Sequence, residues 1–511
     1  MHSALIKAGL GLLACLVAPF SFSNNLPDAN TPILKALVEQ AQKEAQSAYT
    51  APALIENDYL LNMSYSEYKA IRFKPDKSIW HKRNPYEVQL FHSGFLYKQA
   101  VKINVIDYAN VNAELAFDSS FFSYDPPAME ISNIASENIA YAGFRVHYPI
   151  NSQSYKDEFA VFLGATYFRL VGQHQHYGIS SRAIAIDTGL AEGEEFPTFT
   201  EFWLIEPTVS KKLTVYAKLD SPSITGVFRF EIQPGKSTTA DVSAWMFARQ
   251  DIEKFGLAPF TSMFLYGENT KDKPDDFRPE IHDSDGVLLI TDKDEQIWRP
   301  LTNPQRLRIT SLSTKQPKAF GMLQRDIQYG HYLDSEAHYH QRPGLLVTPN
   351  AGFENGRLEI VEIPTQSETH DNIVAYWINN KPVKKGDALF VDYKVQTTNA
   401  KATDNAKAKV IRTLQGDTIL PGEAQDEDNL TRRFVVDFDN IEQIDAKDLT
   451  ADLTANNGRV EHITVLSTNF NRELRASFLV TPIDTDLATD IRLTLTENGK
   501  AISETWSYVY E

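Results

Sequence analysis

The chain has 511 residues, 42% of them hydrophobic, and it carries a formal charge of −17. That length exceeds one ordinary hydrophobic core, so we expect two domains, and the hydrophobic content is enough for both to fold. The negative charge argues against a polyanionic partner such as nucleic acid.

The N-terminus has the layout of a secretory leader, with a basic residue at Lys7, an apolar stretch and a small residue at Ser23. We expect cleavage after Ser23, so that residues 1–23 are a signal peptide. A membrane anchor would need roughly 20 apolar residues, and Pro19 shortens the run. The leader contains Cys15, the only cysteine, and lipid attachment there is the alternative outcome. The pattern predicts a soluble exported protein, periplasmic in a Gram-negative bacterium.

Residues 27–75 carry the helical signals. The stretch "DANTPILKALVEQAQKEAQSAY" combines spaced apolar positions with good helix formers, and "SYSEYKAIRF" predicts a second, shorter helix. Beyond these, short β-prone runs such as "YEVQLFHSG", "KLTVYAKLD" and "GVFRFEIQPG" recur between Gly, Pro, Asn and Asp turns. That spacing predicts antiparallel sheets in sandwiches, and hence an all-β fold.

A change in composition marks a domain boundary. The polar stretch "QTTNAKATDNAKAK" predicts a linker over 396–409. Five or more β-prone runs follow it within about 100 residues, the size of one immunoglobulin-like sandwich. We therefore predict a large β-sandwich domain over 24–395 and a small immunoglobulin-like β-sandwich over 410–511.

Several common chemistries lack their sequence signatures. The chain has no phosphate-binding GxxxxGK(S/T) loop and no GxSxG elbow. The pairs His174/His176 and His338/His340 have the spacing of one strand face, but two histidines do not complete a zinc site. The stretch "DSDG" at 283–286 lacks the later ligands of a calcium loop. We expect no metal and no cofactor.

What remains is a recurring mixture of carboxylates, aromatic residues and arginines. An aromatic face covers the C–H face of a pyranose, while acids and arginines bind its hydroxyls. Hydrolysis of a glycosidic bond needs two further carboxyl groups, one protonated and one ionised. The alternative is that the acids are solvated turn residues and the tryptophans are core. The mixture is densest in "FRPEIHDSDG", "QIWRPL", "GMLQRD", "SETHDNIVAYW", "GEEFPTFTEFW" and "ATYFRLVG", the last of which holds Arg169.

The sequence also resembles the periplasmic glucan biosynthesis proteins of the G and D type (the OpgG/MdoG family). The resemblance covers nearly all of the chain beyond the leader. Matching stretches occur in the family's order and include "LGATYFR" (163–169), "YGISSRAIAIDT" (177–188), "APFTSMFLYG" (258–267), "RPEIHDSDG" (278–286), "WRPLTNP" (298–304) and "VEIPTQSETHDNIVAYW" (361–377).

This resemblance implies a mutarotase-like β-sandwich followed by an immunoglobulin-like domain. It also implies a role in making osmoregulated periplasmic glucans, whose backbone is β-1,2-linked glucose, with glycoside hydrolase activity on that backbone. The family's acid falls on Asp371 in "ETHDN" and its base on Asp283 in "HDSDG". The usual family spelling of the first motif is "ETNDN", so His370 here replaces an asparagine.

We therefore predict an inverting endo-β-1,2-glucanase that trims or shapes the glucan, with Asp371 as general acid and Asp283 as general base. Proximity to the two motifs and suitable chemistry define the predicted substrate-binding residues: Trp298, Arg299, Arg325, Glu368, Tyr376 and Trp377. Core packing is the alternative for each tryptophan.

Two further hypotheses require the same groove. One is a non-catalytic glucan-binding protein that guides nascent chains away from the membrane synthase. The other is a transferase that adds branches with the same carboxylates. The expected partner is β-1,2-linked glucan in each case, and the inner-membrane glucan synthase is a further candidate partner.

Overall fold

The computed structural model describes residues 26–27, 29–128, 131, 139–208, 212–399, 407–418, 430–439, 444–468 and 473–511. The predicted signal peptide, with Cys15, lies outside these residues. Strands dominate the described chain and form several sheets, so the all-β prediction is confirmed.

Few helices interrupt the strands, and the first three begin at residues whose side chains cap them. The first, α1 (Pro32–Glu44), starts with proline after Thr31, whose hydroxyl accepts a hydrogen bond from Leu34 N at 3.3 Å. The others are α2 (Asp58–Asn62), α3 (Tyr65–Lys69) and α4 (Tyr329–Tyr332), with 3-10 turns at Pro75–Lys77, Ser119–Phe121, Tyr339–Gln341 and Ala446–Asp448. Within the described ranges, every helix is too short or too polar to cross a membrane.

The strands are short and follow one another closely. The first half of the chain contains β1 (Ile71–Phe73), β2 (Glu87–His92), β3 (Lys102–Ile106), β4 (Asn112–Glu114), β5 (Phe122–Tyr124), β6 (Tyr141–Tyr148), β7 (Asp157–Leu163), β8 (Tyr167–Leu170), β9 (Ser180–Arg182), β10 (Ile184–Ile186), β11 (Thr198–Ile205), β12 (Leu213–Asp220), β13 (Ile224–Gln233) and β14 (Thr239–Ala248). Next come β15 (Phe255–Ser262), β16 (Phe264–Tyr266), β17 (Ile281–His282), β18 (Gly286–Ile290), β19 (Gln296–Pro300), β20 (Arg308–Thr314), β21 (Ala319–Leu323), β22 (Gly344–Ala351), β23 (Gly356–Glu362), β24 (Ile373–Asn379) and β25 (Ala388–Thr398). The last are β26 (Val410–Gly416), β27 (Arg432–Phe438), β28 (Leu449–Asn456), β29 (Gly458–Ser467), β30 (Leu474–Pro482), β31 (Thr489–Glu497), β32 (Lys500–Ala501) and β33 (Thr505–Tyr510).

Two large sheets pack face to face in the main body. One has the order β2-β6-β7-β8-β9-β15-β24-β23-β20, and the other runs β28-β31-β33-β19-β18-β21-β22-β25-β14-β13-β12-β11-β3-β4. Aromatic contacts join their inner faces: the ring centroids of Phe162 and Phe230 lie 5.1 Å apart, and those of Phe320 and Trp377 lie 6.2 Å apart. The sandwich core is therefore built from side chains of both sheets.

The C-terminal strands form a second sandwich. The sheet β26-β27-β30-β29 packs on β28-β31-β33 around a separate apolar cluster that includes Phe434, Phe478 and Trp506. This sandwich is joined to the main body by backbone pairing, because β19 and β33 run parallel with Trp298 opposite Trp506. The division at a linker stays a prediction: β25 extends into the predicted linker as far as Thr398, and residues 400–406 lie outside the described chain.

Candidate active site

A chain of local contacts brings the two sequence motifs to one place. The acidic loop, residues 363–372, joins the antiparallel strands β23 and β24. At its base the buried Asn372 accepts a hydrogen bond from Phe264 N at 2.8 Å and donates to Phe264 O at 3.0 Å. Phe264 lies opposite His282 in the pairing of β16 with β17. Asp283 follows His282 directly and Asp371 precedes Asn372, so the two aspartates are held near each other.

Asp283 lies at the bottom of this site. It is only 4% exposed, and its backbone N donates to Met263 O at 2.8 Å. Its carboxylate forms an ion pair with Arg342. Arg342 is held in turn by Ala337 O, which accepts from its Nε at 3.1 Å and its Nη2 at 2.9 Å. The guanidinium also lies over the ring of Tyr339, 4.3 Å from its centroid.

Asp371 lies at the opening, where its side chain is accessible to solvent. Protein atoms nevertheless crowd its carboxyl group and raise its pKa, while the charges of Arg169 and Arg342 oppose that rise. Burial also raises the pKa of Asp283, with Arg342 acting against it and the charge of Asp371 adding to it. The two carboxyl groups are therefore electrostatically coupled and share the field of the same arginines.

Glu368, predicted to bind substrate, lies on the wall of the site. Its Oε2 accepts from Arg278 Nη1 at 2.9 Å and from the Tyr339 hydroxyl at 2.7 Å. Arg278 also contacts Asp334 at 2.9 Å. Burial and the hydrogen bond to Glu368 raise the pKa of Tyr339, so its hydroxyl stays protonated at neutral pH. Tyr339 thus connects Glu368 to Arg342.

The two histidine pairs meet at the neighbouring wall. The rings of His176 and His338 are stacked with centroids 4.5 Å apart, and His176 N donates to Gln341 O at 3.0 Å. They do not share a strand face, because His338 precedes a 3-10 turn. Burial and the neighbouring charges of His338 and Arg342 lower the pKa of His176, which is therefore neutral at pH 7. A cavity of about 420 Å³ opens here, lined partly by His174, His176 and Gln341.

Two predicted substrate-binding residues lie in the core of the main sandwich. Trp377 is 0% exposed and its indole N–H donates to Asn379 Oδ1 at 2.7 Å. Tyr376, on the opposite face of β24, is also buried, and its hydroxyl donates to Glu359 at 2.9 Å. Successive strand residues face opposite ways, but both faces of this strand are covered. This burial favours the packing alternative for both side chains, and their place in the groove stays a prediction.

The other three are buried nearer the C-terminal sandwich. Trp298 and Arg299 are 3% and 1% exposed, and Arg299 lies 3.5 Å from the buried Glu362. Arg325 lies over the Trp298 ring, 3.5 Å from its centroid, and binds Glu504 with two hydrogen bonds of 2.8 and 2.7 Å. These contacts hold the guanidinium groups within the protein, although Arg299 Nε has no hydrogen-bond partner among the described residues. Their burial favours a structural role, and the expectation that they line the groove stays a prediction.

A buried ionic network lies behind Asp283. His282 bonds Glu280 Oε2 through Nε2 at 2.9 Å and Gln324 Oε1 through Nδ1 at 3.2 Å. Burial alone would lower the pKa of His282, but Glu280 and Asp285 outweigh it and raise it to about 9. Burial raises the pKa of Asp285 to about 6, with the His282 charge opposing it. His282 is therefore an imidazolium at neutral pH and donates from both nitrogens.

One group in the described chain has the spacing to hold a metal ion. The ligand atoms of Glu280, Asp326 and His331 lie within 4.8 Å of one another. Glu280 already accepts from His282, and His331 forms a short hydrogen bond with Asp326. Each of these groups therefore already has a partner within the protein.

Sequence reasoning did not single out Arg342 or Tyr339. Tyr339 lies between the two histidines of "EAHYHQR" and Arg342 follows them, in a stretch where the histidines suggest metal ligands. The available signal was an arginine and a tyrosine in a turn rich in polar residues, which does not reveal a partner 59 positions away in sequence.

A known protein family matches almost all of this chain. The family model described as "Periplasmic glucan biosynthesis protein, MdoG" matches residues 34–510. The chain belongs to this family. The MdoG match spans both sandwiches and every residue of the site described above.

Several curated proteins are similar to this chain over most of its length. "Glucans biosynthesis protein G" of Ralstonia nicotianae is 38% identical over 520 residues, covering 99% of each chain. The protein of the same name from Vibrio cholerae is 38% identical over 474 residues, 92% of this chain and 85% of its own. That of Shewanella frigidimarina is also 38% identical, over 92% of this chain and 83% of its own.

Proposed function

We propose that this chain is a periplasmic protein of glucan biosynthesis that acts on the β-1,2-glucan backbone as an inverting endo-β-1,2-glucanase. Asp371 serves as general acid and Asp283 as general base. One observation carries the proposal: two carboxyl groups distant in sequence are coupled at one solvent-accessible site, and an arginine pairs directly with only one of them. Export and the periplasmic location follow from the family and the leader-like N-terminus.

The environments of the two acids favour these roles. A general acid must hold a proton, and the pKa of Asp371 is raised by the protein atoms around it without a direct cationic partner among the described residues. A general base must be ionised. The direct ion pair with Arg342 favours the charged form of Asp283 and opposes the effect of its burial. The acid lies at the opening, where a glycosidic oxygen can reach it.

The depth of Asp283 fits an inverting reaction. In inverting enzymes the base activates a water that attacks from the face opposite the leaving group, so space for that water separates the two carboxyls. Asp283 is buried while Asp371 faces solvent, and the water would lie between them. Further waters or sugar hydroxyls would carry the proton to Asp283 where direct contact fails.

Polar groups around the opening suit a glucan chain. Glu368, Arg278 and Arg169 offer charged acceptors and donors for vicinal hydroxyls. The adjoining cavity beside His176 provides room for further glucosyl units. A neutral polysaccharide also fits an acidic protein, because it meets no net repulsion. The glucan synthase remains a proposed partner on the strength of the family alone.

The test is an assay with linear β-1,2-glucan in which chain length is followed by chromatography. We expect the wild-type protein to shorten the chains. Asp371→Asn and Asp283→Asn should each reduce the rate by at least about 10²–10⁴-fold, with folding and glucan retention largely kept. Asp294→Asn, at an exposed turn, is the matched control and should retain full activity.

The same assay separates the alternatives. Unchanged chains that are retained by the protein would support a guiding role. Branched products would support a transferase. Full activity in either site variant would remove that aspartate from the mechanism.

A further inference from the structure

A second cavity lies between the two sandwiches, behind the acidic loop. It has a volume of about 510 Å³, within the range of ligand sites. Four segments of the chain line it, together with Gln415: residues 265–274, the segment that follows β19, the acidic loop through Thr365 and Gln366, and the C-terminal residues Tyr508–Glu511. Neither Asp283 nor Asp371 lines this cavity.

The cavity presents hydrogen-bond donors that are free to bind a ligand. Arg308 is nine-tenths buried, and its Nε and Nη2 bind Glu362 at 2.8 Å each. Its Nη1 has Glu511 as its nearest acid, at 3.8 Å, which is beyond hydrogen-bonding distance. The side chains of Gln305 and Gln366 also line the cavity and make no hydrogen bond to any described part of the chain.

The lining favours a neutral polyhydroxyl ligand. The positive charges of Lys271 and Arg308 are balanced by the negative charges of Asp272 and Glu511. A highly charged ligand would therefore gain no net electrostatic attraction. Amide groups and a guanidinium bind vicinal hydroxyls, and tyrosine rings such as that of Tyr510 suit pyranose faces. We propose that this cavity is a second carbohydrate site, which takes a neutral oligosaccharide segment. That the segment is β-1,2-glucan rests on the proposed function.

The position of the cavity gives such a site a direct link to the acidic loop. Asn303 Nδ2 donates to Thr365 O at 2.8 Å, and Thr365 N donates to Asn303 Oδ1 at 3.0 Å. Asn303 also donates to Leu265 O at 3.1 Å. The loop is therefore fastened to the cavity wall a few residues before Glu368 and Asp371. A sugar bound here would touch the back of the loop whose front carries the proposed acid.

The test uses the full-length exported chain with Asp371→Asn, which prevents turnover, and a β-1,2-linked glucotriose as the probe. Hydrogen–deuterium exchange is measured with and without the probe. We expect protection of residues 302–308 and 508–511. Adding Gln305→Ala and Gln366→Ala should weaken binding, so that the probe concentration needed for that protection rises about tenfold. The Tm should stay unchanged. Gln46→Ala with Gln153→Ala, at two exposed glutamines, is the matched control.

The outcomes separate the two proposals. Protection around Asp283 without protection of 302–308 and 508–511 would overturn the second site and leave the proposed function standing. Protection at the second site alone would support this inference and count against the proposed function. Protection that persists unchanged in the glutamine double variant would also overturn the second site.

Discussion

Arg342 and Asp283 form an ion pair at the bottom of the site, and the guanidinium is fixed from behind by Ala337 O and the ring of Tyr339. This pair gives the two aspartates different environments. Asp283 has a cation in direct contact, whereas Arg342 acts on Asp371 only at longer range. The difference assigns the base role to the buried aspartate in our account.

Replacing Arg342 by Gln should move the pH dependence of activity. Arg342 lowers the pKa of Asp283, so its loss lets burial raise that pKa further. The base is then protonated at higher pH, and the acidic limb of the pH–rate profile shifts upward. Arg83→Gln removes a more exposed arginine that pairs with the buried Glu206 at 3.0 Å, and it should leave the profile unchanged. An unmoved acidic limb in the Arg342 variant would contradict the base assignment.

Replacing Asp371 by Asn should stabilise the protein at neutral pH. The folded-state pKa of Asp371 is raised above its unfolded value, so its ionisation disfavours the folded state as pH rises through that pKa. The Tm of the variant should therefore exceed that of the wild type at pH 7. The difference should vanish below about pH 3.9, where both states hold the proton. A lower Tm at pH 7 would show that the carboxylate has a stabilising partner instead.

Replacing Trp377 by Ala should destabilise the fold rather than weaken glucan binding selectively. Its ring is fully buried against Phe320, and removal of a large buried aromatic costs about 3–5 kcal/mol. Denaturant unfolding measures this loss. If the variant keeps its stability but loses glucan retention, Trp377 belongs to the groove after all. Phe320→Leu, which trims the ring that packs on it, should show a smaller loss of stability.

Replacing His282 by Gln should remove a pH dependence of stability. The pKa of His282 is raised to about 9, so its stabilising contribution is complete below about pH 6.5 and is lost as pH rises through 9. Across this pH window the free energy of unfolding of the wild-type protein should fall by roughly 3 kcal/mol. Urea unfolding at pH 6 and pH 9.5 should show that difference in the wild type and a much smaller one in the variant. His370→Asn, at an exposed position, should behave like the wild type.

Much of the fold was predictable from periodicity. The alternating run "GRLEIVEIPT" and the apolar run "IVAYW" contain β23 and the start of β24, and the acids between them lie in the connecting loop. Alternating apolar residues and turn residues are local signals, so they survive in a single sequence. Thr397 and Thr398 look like linker residues but belong to β25, because pairing with Leu345 and Gly344 of β22 overrides their composition.

The site was predictable only in part. The family resemblance singles out Asp371 and Asp283, and Glu368 lies in the same acidic stretch as Asp371; the structure brings all three together. The aromatic residues and arginines beside the motifs did not join them. Proximity in sequence does not specify which face of a strand is open, and Trp298 and Tyr376 lie on covered faces. Arg342 had no local signal, since its partnership depends on the packing of a distant turn.

The anomeric configuration of the first product distinguishes an inverting hydrolase from a retaining one. The wild-type protein is incubated with linear β-1,2-glucan, and the new reducing ends are followed by NMR before mutarotation equilibrates them. We expect α-anomeric ends to appear first, because Asp283 directs water to the face opposite the bond that Asp371 protonates. First appearance of β-anomeric ends, or the absence of any new reducing end, would contradict this expectation.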